Sequence, residues 1–399
     1  MSTKKGMDTI PKAIMESEQM ARYLRTIHND FTKENSLRTL SLFIRNANAK
    51  KPEDLFGSTT KIEELIERWI DSQKTQKPPV MGTTIRVRFH IVKDFYEMNR
   101  VLLAWKLLSK TIPKTRAKRD TAWTRDNLQT LLAKSRDREQ AVIPLLASSG
   151  IRRDVLRLLN VEDFLPRNDW AIFEIVGYRG EPEEYHTYCS PEARKNIESY
   201  WRFRERHGEI LTAKSPAFRK EWNLEDPNAA KNPKRLAERT VSSALREVAL
   251  KTGLRQKLNG PSQNGHGAIR HESKLVHGIR KFFETTLLDL GFDEKWIDML
   301  EGHKLEGLRE NYYRPKDDTV LLGTTTSDGK FRKPGYVDLM RELVISDEER
   351  AKVKVRELEK KIIGEERMVK RMDELEEELN DLRQKEYWRD VEDHPKRAS

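Results

Sequence analysis

Apolar side chains recur at helical spacing in three stretches of the first hundred residues. The repeating positions are Leu37, Leu40, Phe43 and Ile44; Ile62, Leu65, Ile66, Trp69 and Ile70; and Ile85, Phe89, Val92 and Phe95. Asn35 and Ser36 stand before the first stretch and predict its N-terminal cap, and Gly82 opens the third. Pro52 and Pro79 separate the stretches. The pattern predicts a small all-helical domain over residues 1–112.

The helical pattern stops at residues 113–120, where a basic segment with almost no apolar content follows. This composition is typical of a linker between domains. Its cations either lie along a DNA backbone or only keep the segment solvated, and the same alternatives apply to basic residues on the third predicted helix. The candidate DNA-binding residues of the linker are Lys114, Arg116, Lys118 and Arg119.

In the middle of the chain the pattern changes from helical spacing to alternation and back. Helical spacing covers residues 124–132, 141–147, 191–206 and 240–252. The alternating positions are Ile172, Glu174 and Val176, then Tyr185, Thr187 and Cys189 after a turn at Gly180. This alternation predicts a short β-hairpin. Residues 208–236 and 316–336 are predicted to be irregular, because proline, glycine and polar residues dominate them.

Residues 346–388 are rich in Glu, Lys, Arg and Leu, and the acidic run at Asp347 favours a helix N-terminus. Apolar residues hold heptad spacing in two runs that differ in phase: Val355, Leu358 and Ile362, then Met368, Met372, Leu375, Leu379 and Leu382. The segment is either a coiled coil or a long helix packed on the body of the protein. The narrow apolar seam favours self-association.

Composition limits the class of protein. The chain has 399 residues, enough for two or three domains, and its 35% charged content indicates a large solvated surface. The net charge is +11 although the tail is acidic, so the positive charge is concentrated upstream and favours a polyanionic partner. No membrane span or secretion signal is predicted. A single cysteine, Cys189, excludes an internal disulfide framework and indicates a reducing, cytoplasmic environment.

Two histidines, an arginine and a pair of tyrosines stand close together in the sequence: His277, Arg280, His303, Tyr312 and Tyr313. Helical apolar positions run between them, so we expect the stretch to fold and its polar groups to converge. Arginine can donate two hydrogen bonds to a phosphate, a tyrosine hydroxyl can attack phosphorus, and histidine can move protons near neutral pH. A phosphodiester is therefore the expected target.

Three motifs stand in order in the second half of the chain. They are Gly150-Ile-Arg152 with the helix after it, His277-Gly-Ile-Arg280, and Leu300-Glu-Gly302-His303 followed by Tyr312. In order and spacing they resemble the first-arginine, H-x-x-R and L-x-G-H…Y boxes of the tyrosine recombinase (phage integrase) family. The Tyr-Tyr-Arg-Pro sequence at Tyr312 is similar to that of archaeal integrases in particular. The resemblance extends over about residues 10–340.

The resemblance implies roles for individual residues. Arg152 and Arg280 are expected to clamp the scissile phosphate. His277 is expected to assist proton transfer, and His303 to hydrogen-bond a non-bridging oxygen or orient the site. Tyr312 is then the nucleophile, which forms a 3′-phosphotyrosine and releases a 5′-hydroxyl.

Neither a metal ion nor another cofactor is expected, because attack by a 5′-hydroxyl on the phosphotyrosine reverses the step without ATP. Tyr313 is the rival nucleophile, and spacing from the preceding histidine favours Tyr312. His266, His271 and His277 suggest a metal site only weakly, since they accompany no cysteine or carboxylate pattern.

Two departures from the family pattern stand out. Where the family has an acidic residue near position 155, this chain has Val155, with Asp154 adjacent. The predicted hairpin also lacks the lysine that in the family protonates the leaving oxygen. Arg179 occupies the matching region, but arginine is a poor proton donor. Another lysine or a histidine such as His186 is the alternative donor.

The implied architecture is mainly α with a small β-hairpin: a helical core-binding domain (1–112), the linker, a catalytic domain (121–340) and the tail. The implied partner is double-stranded DNA carrying attachment sites, bound by a homotetramer in the nucleoid with accessory factors and no membrane. The expected activity is site-specific recombination by the integrase of a mobile element. The alternatives are a type IB topoisomerase and a non-catalytic DNA-binding relative. The small N-terminal helical domain favours a recombinase over a topoisomerase, and the complete residue set argues against a non-catalytic protein.

Overall fold

The computed structural model describes residues 10–77, 79–114, 122–237, 240–254, 275–303, 318–325 and 332–393. Predictions that fall on other residues lie outside the described part of the chain. The described residues up to 114 form one compact unit, and those from 122 onward form a second. No helix in the described ranges is long and apolar enough to cross a membrane.

The first unit consists of helices packed around an aromatic core. Its helices are α1 (Lys12–Met15), α2 (Glu18–Leu24), α3 (Asp30–Asn46), α4 (Thr59–Thr75), α5 (Gly82–Met98) and α6 (Trp105–Lys110). The rings of Phe43 and Trp69 meet edge to face at 5.4 Å, and the Tyr96 hydroxyl donates to the Leu55 carbonyl at 2.8 Å. The predicted helical stretches are therefore confirmed as elements that share one core.

The predicted cap of the first long helix is wrong. Helix α3 begins at Asp30, and the Asn29 side chain accepts a hydrogen bond from the Thr32 backbone N–H at 3.2 Å. Ser36 is buried inside the helix. Asn29 satisfies a backbone donor more than one turn before the apolar stripe begins at Leu37, so the helix starts earlier than the stripe predicts. The polar residues 32–35 form its first turns on the solvent side.

The second unit contains the remaining described helices. They are α7 (Arg125–Ala133), α8 (Asp137–Ser149), α9 (Arg153–Leu156), α10 (Pro191–Arg206), α11 (Pro227–Lys231), α12 (Thr240–Lys251), α13 (Leu275–Asp289), α14 (Glu294–Leu300), α15 (Thr319–Leu322), α16 (Tyr336–Leu343) and α17 (Asp347–Asp393). The predicted start of α7 is confirmed, because the Thr124 hydroxyl accepts from the Asn127 backbone N–H at 3.3 Å.

Helix α8 lies at the centre of the second unit. It is buried on nearly every side and packs against α10 and α13. A helix that is mostly apolar around its circumference is typical of a central position. It ends at Gly150 in the left-handed conformation, which turns the chain toward Arg152.

A three-stranded antiparallel sheet packs on the end of α8. Strands β2 (Ile172–Gly177) and β3 (Tyr185–Cys189) form the predicted hairpin, and the Thr187 hydroxyl donates to the Ser149 carbonyl at 2.8 Å. An additional edge strand, β1 (Phe164–Arg167), pairs with β2 and was not predicted. Its short run contains Pro166, which is tolerated because an edge strand needs fewer backbone donors.

The prediction that residues 316–336 are irregular is wrong in part. Strands β4 (Gly323–Thr325) and β5 (Arg332–Pro334) pair antiparallel, with α15 before them and α16 after them. A Cβ atom at Gly323 would overlap the Lys333 carbonyl, so the glycine permits the close approach of the two backbones. Strands this short leave almost no alternation in the sequence.

Residues 208–236 are irregular apart from α11, and a buried ionic network holds them on α10. Glu209 lies between two buried arginines: it accepts from Arg204 Nε at 3.0 Å and from Arg219 Nη1 at 2.7 Å. Arg219 also lies over the Trp222 ring, 3.9 Å from its centroid. Each charge has a partner in the interior, as burial of ionised groups requires.

The tail is a single helix, α17, whose first turns pack on the second unit. Val353 is buried, Glu349 pairs with Lys195 at 2.5 Å, and the Lys360 ammonium lies over the Trp170 ring, 3.3 Å from its centroid. Beyond that contact the large apolar side chains with described burial are about half exposed or more, for example Met368 and Met372. The packed-helix interpretation therefore holds for the start of the tail, and self-association of the remainder stays a prediction.

Candidate active site

The first-arginine motif lies in the turn between α8 and α9. Gly150 has φ +60°, and a Cβ atom there would overlap the ring of Phe283 on α13. Only glycine suits both demands. Ile151 is buried beneath the turn, so Arg152 follows with extended backbone at the N-terminus of α9. The glycine thus brings α13 close and directs the arginine that follows it.

Helix α13 carries the second motif. Its Gly278 faces Trp123, whose ring a Cβ atom would approach to 2.6 Å, so the glycine in His277-Gly-Ile-Arg280 allows close packing. His277 lies on the exposed side of the first turn, and Arg280 is buried with 9% of its side chain accessible. Helical spacing therefore places these two residues in different environments.

Both arginines converge on the turn after α14. Arg152 Nη2 donates to the Gly302 carbonyl at 2.8 Å, and Arg280 Nη2 donates to the Glu301 carbonyl at 3.0 Å. Arg280 Nη1 also donates to the Gly150 carbonyl at 2.7 Å, which links the first and second motifs. We call Arg152, Arg280, Glu301 and His303 the arginine cluster.

His303 is fixed in the cluster by two contacts. Its Nε2 lies 2.9 Å from Arg280 Nη2, and its Nδ1 lies 3.0 Å from Asp298 Oδ1. Because a guanidinium only donates hydrogen bonds, Nε2 is assigned as the acceptor and Nδ1 carries the proton donated to Asp298. The two contacts therefore fix the orientation of the imidazole ring beside the buried arginine.

Tyr185 of β3 packs against the same turn. Gly302 has φ +66°, and a Cβ atom there would lie 2.6 Å from the Tyr185 ring. Burial raises the pKa of the Tyr185 hydroxyl to about 12, although the Arg152 backbone N–H and the charges of Arg280 and Arg152 act to lower it. The phenol is therefore neutral at physiological pH. The only sequence signal for Tyr185 was its place in the predicted hairpin.

Glu301 is the acidic member of the cluster, and sequence reasoning missed it. One carboxylate oxygen, Oε2, lies 2.8 Å from Arg280 Nη2, and the other, Oε1, is buried without a hydrogen-bond partner among the described residues. Burial raises the pKa of the Glu301 carboxyl to about 7, more than the attraction of Arg280 lowers it. Its signal was a carboxylate at the variable position of the Leu300-Glu-Gly302-His303 motif.

The carboxylate that contacts the arginine cluster comes from a different element than the family pattern implies. Val155 is fully buried in the core, and Asp154 is exposed and pairs with Arg153 at 3.0 Å. Neither supplies a carboxylate to the arginine cluster. Glu301 makes that contact instead, from the turn after α14.

Arg179 and His186, the hairpin residues considered for the role of the family's lysine, form contacts outside the arginine cluster. Arg179 Nε donates to Asp163 Oδ1 at 2.5 Å, and its Nη2 donates to the Glu162 carbonyl at 2.9 Å. His186 Nδ1 lies 2.6 Å from Glu174, a contact that raises the pKa of the imidazole. Since successive side chains of a strand point to opposite faces, His186 lies on the face opposite Tyr185.

The remaining predicted site residues are not all described. Lys114 is exposed at the end of the first unit. Those outside the described ranges are Tyr312, Tyr313, Arg116, Lys118, Arg119, His266 and His271. Within the described ranges no group of three or more His, Cys, Asp or Glu side chains is placed to hold a metal ion.

Solved structures that superimpose on this chain include integrases in complex with DNA. The Tn1549 transposon integrase in complex with circular intermediate DNA superimposes with a TM-score of 0.53 at 14% identity, covering 78% of this chain and 96% of that one. The same integrase in complex with transposon right end DNA gives 0.53 at 12% identity, covering 74% and 95%. The chain has the tyrosine-recombinase fold.

A lambda integrase dimer bound to a core site is a further match, with a TM-score of 0.48 at 12% identity and coverage of 75% of this chain and 77% of that one. No protein-family profile and no curated protein matches the sequence. What this chain shares with the transposon integrase is the fold, and the roles of its residues follow from its own geometry.

Proposed function

We propose that the protein is a site-specific DNA recombinase, the integrase of a mobile element, which cleaves and rejoins strands through a 3′-phosphotyrosine. One observation carries the proposal. Arg152 and Arg280, from distant segments, meet at the turn of residues 301–303 in a chain with the tyrosine-recombinase fold. The transposon integrase that shares this fold was solved in complex with DNA, which supports double-stranded DNA as the partner.

The arginine cluster would act on the scissile phosphate by charge. Two guanidinium groups stabilise negative charge that develops on the non-bridging oxygens, and they need little reorganisation because their backbone contacts already fix them. His303 stands at the exposed edge of the cluster, where it can hydrogen-bond a phosphate oxygen that replaces its contact with Arg280. His277, exposed on α13, is assigned to proton transfer.

The covalent step uses a tyrosine after the cluster. The Tyr312 hydroxyl gives up its proton as its oxygen forms a bond to phosphorus, and the bond from phosphorus to the 5′-oxygen breaks. The 5′-oxygen takes up a proton and leaves as a hydroxyl. Attack by the 5′-hydroxyl of another strand reverses these changes, so neither ATP nor a metal ion is consumed. Tyr313 is the alternative nucleophile. Arg179 remains the proposed charge-stabilising group of the hairpin.

The proposed assembly is a homotetramer on DNA in the nucleoid, with accessory factors. The first unit would be the core-binding domain (1–112), and residues 121–340 the catalytic domain. The cations of the linker at 113–120 would lie along the phosphate backbone, and the exposed part of α17 would join protomers.

The decisive experiment traps the covalent intermediate. A nicked suicide duplex carrying the junction sequence that flanks the gene should form a protein–DNA adduct in EDTA. Tyr312→Phe should abolish the adduct and Tyr313→Phe should retain it. The reverse result would make Tyr313 the nucleophile, and loss of the adduct in EDTA would refute the metal-free route.

Assays with the same protein and the same junction sequence distinguish the alternative functions. A type IB topoisomerase would relax supercoiled plasmids that lack the junction sequence and would not exchange strands between two duplexes. A non-catalytic relative would bind the duplex and form no adduct under any condition. Strand exchange that requires the junction sequence supports the recombinase.

A further inference from the structure

Glu301 is a buried carboxylate that the strand-transfer chemistry does not use. Only 3% of its side chain is accessible, and it lies against Arg280 of α13. The other charged and titratable groups around it are Glu284 on α13, Asp298 and His303 at the end of α14, Arg152 before α9, and Tyr185 on β3. A buried acid in a site for an anion needs a reason, because it opposes the binding of phosphate.

The Nη2 group of Arg280 is already fully used in hydrogen bonding. It has two hydrogens and three acceptors within 3.0 Å: the Glu301 carbonyl, Glu301 Oε2 and His303 Nε2. A phosphate that binds at Nη2 must therefore replace one of these acceptors. The Glu301 carboxylate is the one whose negative charge repels the phosphate directly.

We propose that Glu301 takes up a proton from solvent when a DNA phosphate binds the arginine cluster, so that site-specific binding and proton uptake are coupled. The proton bonds to Oε1, the buried oxygen that lacks a hydrogen-bond partner among the described residues. Neutralised Glu301 then leaves the charge of Arg280 to the phosphate. This inference rests on the proposed function, since it requires a phosphate in the cluster.

The electrostatic cost of this protonation is small near neutral pH. Burial already holds the pKa of Glu301 at about 7, and a phosphate anion nearby raises it further because like charges disfavour ionisation. The free carboxyl is mostly ionised above pH 7, so binding there requires uptake. Binding should therefore weaken as pH rises above 7, by at most about tenfold per pH unit for one linked proton.

The test measures protons directly. Calorimetric titration of the intact junction duplex into the full-length protein, in two buffers of different ionisation enthalpy, gives the protons taken up on binding. Wild type should take up a fraction of a proton at pH 7.5, because this pH lies about one half-unit above the pKa of the Glu301 carboxyl. Glu301→Gln preserves the shape of the side chain and should lose this uptake, while its affinity becomes less dependent on pH.

Asp289→Asn is the matched control, because it removes an exposed carboxylate from the same helix that carries Arg280 and lies outside the set of groups that shift the pKa of Glu301. It should keep the uptake of wild type. Equal uptake in wild type and Glu301→Gln, with both proteins folded by circular dichroism, overturns the inference. Adduct formation on the suicide duplex is scored separately: adduct with equal uptake refutes only the role of Glu301, whereas absence of adduct and of uptake refutes the proposed function.

Discussion

At the scale of single residues, glycines determine how closely the charged groups of the arginine cluster approach. Gly150 lets Phe283 of α13 lie against the turn that carries Arg152, and Gly302 lets the turn after α14 lie against Tyr185. Both have positive φ, a conformation that costs other residues about 1–2 kcal/mol. The positions of the arginines thus depend on the lack of a Cβ atom at Gly150 and Gly302.

Gly150→Ala should destabilise the second unit by about 2–4 kcal/mol, from backbone strain together with the overlap with Phe283. Differential scanning calorimetry of the full chain measures the loss as a lower midpoint for that unit. The adduct on the suicide duplex should fall as well, because the displaced turn carries Arg152.

Gly180→Ala is the matched control, since Gly180 also has positive φ but a Cβ atom there meets nothing within 4 Å. It should cost only the strain, about 1–2 kcal/mol. Equal losses in the two variants would show that contact with Phe283 contributes nothing.

At the scale of elements, the buried network of Arg204, Glu209 and Arg219 replaces regular hydrogen bonding in residues 208–236. Arg204 Nη1 donates to the Pro216 and Ala217 carbonyls at 2.8 and 2.9 Å. An irregular segment has backbone groups that no helix or strand satisfies, so buried side-chain donors take that role. Glu209 is the anion that pairs with both of these buried guanidinium groups, Arg204 and Arg219.

Glu209→Gln should destabilise the second unit by about 3–5 kcal/mol, because it leaves two buried guanidinium groups without an anion. Calorimetry at neutral pH measures the change. Glu205→Gln removes an exposed carboxylate near the end of α10; it is the control and should shift stability by less than about 0.5 kcal/mol. A similar small effect for Glu209→Gln would mean that the network is not a stabilising feature.

At the scale of the whole molecule, helix α17 divides into a packed and an exposed part near Lys360. Its start is held by contacts such as Arg341 Nη1 with Glu357 at 3.2 Å. The exposed part carries Met372, Leu375 and Leu379, which are about half exposed or more. A long helix with an apolar seam in water gains stability chiefly by packing, so we expect a second copy on this seam.

Deletion of residues 362–399 should remove self-association in sedimentation without DNA and leave the melting of the second unit unchanged. The reason is that Lys360 contacts the second unit, whereas the large apolar side chains beyond it with described burial are about half exposed or more. Removal from residue 346 would be a poorer test, because Val353 and Glu349 are packed on the body.

Point variants of the full chain check the same idea without truncation. Met372→Glu places a charge on the apolar seam and should lower the sedimenting mass, whereas Lys370→Glu changes an outer position and should not. A mass that is unchanged by both the deletion and Met372→Glu would contradict self-association through the tail.

Most of the helices and the β2–β3 hairpin were predictable because their signals are local. Pro191 starts α10 and Thr124 caps α7 through residues only a few positions away. The predictions failed where the signal was weak or displaced: β1, β4 and β5 are three or four residues long, and Asn29 caps α3 well before its apolar stripe. Local periodicity cannot be read from so few positions.

The sequence by itself determined the order of the motifs, the helical context of Arg280 and the glycines that precede Arg152 and His303. Only the tertiary structure decided that both arginines contact one turn, that Glu301 is their acidic partner, and that His186 faces away from Tyr185. Helix and strand periods depend on neighbours in the chain. The contact of Arg152 with Gly302 joins residues 150 positions apart, and Glu301 meets Arg280 of a different helix 21 positions away. Burial, charge pairing and the pKa of Glu301 therefore depend on how separate elements pack.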